Sequence, residues 1–128
     1  MTITELCKAA HDNAVVKGFY GDDGNGERNI GELLMLVTSE LGECLEADRK
    51  SMYCAGNINT AIEMFDNGDP DATYYFEEMV KDCREDEMAD AVIRIADMAG
   101  YLGIDLESHI LAKMRYNATR EKLHGKRY

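Results

Sequence analysis

The segment Met88-Ala89-Asp90-Ala91-Val92-Ile93-Arg94-Ile95-Ala96-Asp97-Met98-Ala99 limits what this chain can fold into more than any other. At helical periodicity its apolar residues run almost all the way round, interrupted by a narrow polar strip of Glu87, Asp90, Arg94 and Asp97. A helix with so little polar surface belongs in the middle of a bundle. The helical pattern runs from about Ala72 to Leu102, with a break expected near Asp82 to Asp86, and Gly100 and Gly103 end it.

Three further helices are predicted around this one. Thr2-x-x-Glu5 can form a capping box, and Ile3, Leu6, Cys7, Ala10 and Ala14 then recur at helical spacing until Lys17-Gly18. Ile30, Leu33, Leu34, Val37, Leu41 and Leu45 make the strongest amphipathic stripe of the chain, ending near Arg49. Asp105 can cap a last helix whose stripe is Leu106, Ile110, Leu111 and Met114, reaching about Lys122. The glycines, aspartates and asparagine between Phe19 and Asn29 supply turns but little core, and read as a mobile loop. Residues 51–72 lose the periodicity apart from one short helix around Thr60 to Phe65, and read as an inserted connection. The expected fold is all-α and four-helix-bundle-like, in a single domain spanning residues 1–128.

The 128 residues carry 25 acidic against 14 basic side chains, a net charge of −11 at pH 7. Binding to a nucleic-acid backbone or to an acidic membrane surface is disfavoured, because both are driven by Lys and Arg. Divalent cations can still bridge an acidic protein to an anionic substrate, so the carboxylate surplus directs attention to a metal site. Cys7, Cys44, Cys54 and Cys83 form no C-x-x-C pair, as in reduced thiols, and no basic start precedes an apolar run. A soluble, cytoplasmic protein is expected.

Glu40 and Glu43 lie one turn apart on the second helix, and Glu87 and Asp90 repeat that spacing on the third. Two such pairs facing each other would offer the all-oxygen coordination preferred by Mg²⁺. The same spacings also occur on solvated helices, and Glu87, Asp90, Arg94 and Asp97 equally suit an intrahelical ion-pair ladder. Lys113, Asn117 and Arg120 fall on one face of the last helix, a face suited to polyphosphate or simply to solvent. His11, His109 and His124 share no metal-like spacing and read as surface or helix-end residues. No E-x-x-H, no phosphate-binding G-x-x-x-x-G-K-[ST] and no zinc-deaminase motif is present.

Leu36-Val37-Thr38-Ser39-Glu40-Leu41-Gly42-Glu43-Cys44-Leu45-Glu46-Ala47-Asp48-Arg49-Lys50, then Glu87-Met88-Ala89-Asp90-Ala91-Val92-Ile93-Arg94, then Lys113 to Arg120, together resemble the MazG-like nucleotide pyrophosphohydrolases. That superfamily is marked by E-E-x-x-E followed by E-x-x-D on adjacent helices. The resemblance implies a MazG-type helical fold, a homodimer or homotetramer, and Mg²⁺, with Mn²⁺ as a substitute. It also implies hydrolysis of a nucleoside triphosphate to the monophosphate and pyrophosphate. On it, Glu40, Glu43, Glu87 and Asp90 are the metal-binding and catalytic acids. Lys113, Asn117 and Arg120 match positions that contact phosphates or nucleoside, and Phe19 or Tyr20, in Lys17-Gly18-Phe19-Tyr20, can stack on a base or equally pack in the core. Ser39 departs from the pattern, standing where many relatives have the leading Glu, for which Glu46 or Asp86 could substitute. The rival expectations are a nucleotide-binding protein without turnover and a non-catalytic helical interaction module.

Overall fold

The computed structural model describes residues 1–127, the side chain of His124 excepted, and so carries no test of the expectation for that histidine. Among the described residues there are six α-helices and no strand. They are α1 (Ile3–Val16), α2 (Ile30–Arg49), α3 (Ile58–Asp66), α4 (Ala72–Met79), α5 (Arg84–Leu102) and α6 (Leu106–Ala118), with a 3₁₀ turn at Lys122–Gly125. The all-α class is as expected, and no described helix is long and apolar enough to cross a membrane.

Local chemistry sets the helix starts. Thr2 Oγ1 accepts from the Glu5 N–H at 3.1 Å while the Glu5 carboxylate accepts from the Thr2 N–H at 2.7 Å, which completes the capping box of α1. Asn29, Asn57 and Asp105 cap α2, α3 and α6 through their side-chain oxygens. The long third helix of the sequence reading is two helices. Val80 and Lys81 both donate to the Phe76 carbonyl, Asp82 takes a left-handed φ of 61°, and its N–H donates to Asp86 Oδ2 at 3.0 Å. The last helix is shorter than expected, stopping at Ala118 before Thr119, so Arg120 lies beyond it.

The chain forms two compact units, Met1–Glu27 with the residues from Ile95 onward, and Arg28–Arg94; α5 passes from the second into the first. In the first, Cys7 and Ala10 of α1 pack with Ala96 and Ala99 of α5, flanked by Ile3, Leu6 and Leu106. A Cβ on Gly100 would lie 2.7 Å from the Cys7 carbonyl oxygen, so only glycine admits this approach of helix to helix. The loop after α1 contributes little core, as expected, apart from Tyr20. Tyr20 is 1% exposed, its hydroxyl donates to Asp97 Oδ1 at 2.9 Å, and its ring meets His11 edge-on at 4.7 Å. His11 is half-buried rather than a plain surface residue, and its Nδ1 lies 2.9 Å from the same Asp97 oxygen. His109 is exposed.

In the second unit the buried positions of α2 are Leu33, Glu40 and Ala47, spaced seven apart, and those of the first half of α5 include Glu87 and Ala91. Leu34, Leu41 and Leu45, members of the strongest apolar stripe, are exposed. On α5, Met88, Val92, Ile93 and Ile95 are exposed as well, so the helix expected at the centre of a bundle is covered on part of its surface only. The connection before α3 is tied down by its backbone. Ala55 and Gly56 donate to the Met79 carbonyl at 3.0 and 3.1 Å, Cys54 N–H to Glu85 Oε2 at 3.0 Å, and Asn57 N–H to the Tyr75 hydroxyl at 2.9 Å. The rings of Phe65 of α3 and Phe76 of α4 lie 6.1 Å apart, tilted by 60°.

Candidate metal centre

Glu40 lies on the seven-residue row that turns α2 inward, and Glu87 lies one turn after the buried Cys83 and one before the buried Ala91. Both carboxylates are therefore carried inside by apolar neighbours, at 5% and 6% exposure. Asp90, three residues further along α5, is exposed at the edge of the same patch. One carboxylate oxygen from each of Glu40, Glu87 and Asp90 lies within 4.8 Å of the others. An all-carboxylate trio of this size suits a hard divalent cation, and suits no soft metal, because it offers neither sulfur nor imidazole.

Glu43 is not a member of that trio. It is exposed, yet close enough that its charge is, after burial itself, the largest contribution raising the Glu87 carboxyl to about 7, ahead of Glu40 and Asp90. Burial also raises Asp90, with Asp86 and Glu40 adding to the shift and Arg94 opposing it. The Arg94 Nε–H donates to Glu40 Oε1 at 2.5 Å. That bond runs from α5 to α2, so the expected ladder along α5 is not formed: Arg94 serves Glu40, and Asp97 serves His11 and Tyr20. Of the two substitutes for the leading Glu, Glu46 is exposed and paired with Lys50 at 3.2 Å, whereas Asp86 acts electrostatically on Asp90. The Ser39 hydroxyl donates to the Leu36 carbonyl at 2.7 Å.

A cleft of about 730 Å³ opens in the same unit, with Asp90 in its lining. Ile58, Phe76 and Val80 form one apolar side, and Ala89 and Ile93 of α5 face it. Periodicity could not find this cleft, because its lining joins residues 54–58, Phe76, the turn at 80–82 and α5, which no single helical pattern relates.

Phe19, Lys113, Asn117 and Arg120 belong to the other unit. Phe19 and Lys113 are exposed, and Asn117 Oδ1 is a buried oxygen with no hydrogen-bond partner among the described residues. Lys113 Nζ lies 4.9 Å and Arg120 Cζ 5.7 Å from the centre of the Tyr116 ring, so Tyr116, which the helical pattern did not single out, gathers the two cations despite the early end of α6.

No family model, no curated protein and no solved structure matches the chain.

Proposed function

We propose that the chain is a divalent-cation-dependent nucleoside triphosphate pyrophosphohydrolase of the MazG-like kind, working as an oligomer. The observation that carries this reading is the convergence of Glu40, Glu87 and Asp90 within 4.8 Å, with two of the three carboxylates buried. Buried acids crowded together are unfavourable unless a cation or a proton answers them, and of the three Arg94 hydrogen-bonds Glu40 alone, acting on Asp90 only through its charge. A purely structural cluster would be better served by apolar side chains.

Glu40, Glu87 and Asp90 would hold Mg²⁺ or Mn²⁺, and when bound the ion supplies Lewis acidity and charge neutralisation to the triphosphate oxygens. Glu43 is the base we assign, because it is exposed beside Glu87 and outside the trio. Its carboxylate would take a proton from the water attacking the α-phosphorus, with pyrophosphate leaving. Arg94 would hold Glu40 in position before the cation arrives. Lys113 and Arg120 are proposed to stabilise charge on the phosphates, on the strength of the resemblance.

The test is steady-state release of pyrophosphate and nucleoside monophosphate from a pool of triphosphates, with and without Mg²⁺. Activity should require the ion and should fall by several orders of magnitude in Glu87→Gln and Asp90→Asn, because metal sites commonly supply several kcal/mol of transition-state stabilisation. Absence of Mg²⁺-stimulated release from the wild type, or near-normal rates in both variants, would remove the assignment.

A further inference from the structure

The cleft beside Asp90 has dimensions and walls that the acidic trio does not require. Its volume of about 730 Å³ falls in the range of small-molecule pockets, roughly 300 to 1,000 Å³. The lining divides by chemistry. Ile58, Phe76, Val80, Ala89 and Ile93 offer apolar surface to the flat face of a ring, while Asp82, Glu85, Asp86 and Asp90 offer carboxylates against a single cation, Lys81. Lys81 is already paired with Asp82 at 3.0 Å, and Glu85 is occupied by Arg84 and by the Cys54 N–H. Asp86 accepts the Asp82 N–H through Oδ2 only.

On the helical wheel of α5, Asp86, Ala89 and Ile93 share one face, Glu87 and Arg94 lie on the face toward Glu40, and Asp90 falls between them. A ligand fixed at Asp90 by its phosphates therefore has its remaining body beside the apolar cleft.

We propose that this cleft is the nucleoside pocket of the enzyme and that it selects bases bearing an exocyclic amino group, such as cytosine, over their oxo counterparts, such as uracil. This rests on the reading of the site given above. A carboxylate can only accept hydrogen bonds, so Asp86 complements an amino group and opposes a carbonyl oxygen at the same place. The pocket is walled by the connection before α3, by Ile58 of α3, by Phe76 of α4, by the turn after α4 and by α5, and the selecting carboxylate, Asp86, lies in the first turn of α5.

Calorimetric titration of the whole chain in Mg²⁺ with α,β-imido-dCTP, α,β-imido-dUTP and inorganic tripolyphosphate tests it. The dCTP analogue should bind about tenfold tighter than the dUTP analogue, because a site that accepts a hydrogen bond from the amino group leaves the oxo analogue unmatched. Ala89→Phe, which fills the cleft from an exposed position, should weaken both nucleotides about tenfold or more and leave tripolyphosphate unchanged. Asp86→Asn, nearly isosteric and able to donate, should bring the two nucleotides to similar affinity. Equal binding of both nucleotides by the wild type, or nucleotide affinity untouched by Ala89→Phe, would overturn the inference while tripolyphosphate binding left the metal site standing. Failure of all three compounds to bind the wild type would remove the site reading and this inference together.

Discussion

Glu87 is the acid that burial and neighbouring charge displace furthest among the described residues. Its carboxyl rises from 4.5 to about 7 through burial and the charges of Glu43, Glu40 and Asp90. A raised value means that the native state keeps a proton which the unfolded chain has already released. The stabilisation is complete below about 4.5 and is lost as pH rises through about 7. Without divalent ions the melting temperature should fall across that window, and Asp90, shifted the same way, adds to the fall. Millimolar Mg²⁺ should flatten the upper part of the profile by replacing the proton, and Glu87→Gln should flatten it without metal. Scanning calorimetry from about pH 4.5 to 7.5 measures this, and a melting temperature that climbs with pH would contradict the assigned environment.

Among the elements, the loop after α1 is fastened to the core through one buried residue. Its Tyr20 hydroxyl and the imidazole of His11 converge on one Asp97 oxygen, with Tyr101 5.0 Å from the Tyr20 ring. Asp97→Ala should cost about 1 to 3 kcal/mol in urea denaturation, since it strips the acceptor from two half-buried or buried donors. A change below about 0.5 kcal/mol, the usual size for a surface position, would show the loop to be fastened elsewhere. This cluster was illegible beforehand because it joins positions 11, 20 and 97, and periodicity reports only neighbours along one helix. The acid pairs were legible for the converse reason: three-residue spacing on a helix fixes a shared face before any partner is known. Even so, spacing could not separate Glu43 from the trio, which depends on how α2 is rotated about the row Leu33, Glu40 and Ala47. Nor could the stripe of leucines say which apolar face the chain itself would cover.

At the level of the whole molecule, the interior is built mainly of small side chains, with alanines at 10, 14, 47, 61, 72, 91, 96 and 99 among the buried positions. The larger ones, including Leu34, Leu41 and Leu45 of α2 and Met88 and Val92 of α5, face outward. A lone chain would thus release little hydrocarbon to water on melting, and its unfolding heat capacity should fall below the roughly 12–15 cal/mol/K per residue usual for globular proteins. If copies of the chain meet through those leucines and methionines, the missing heat capacity returns on assembly. The melting temperature then depends on protein concentration through mass action. Calorimetry over a hundredfold dilution series, with light scattering alongside, should show melting shifting downward as the complex dissociates. A midpoint and heat capacity indifferent to dilution, from a species that scatters as a monomer, would mean that these side chains face water in the working protein.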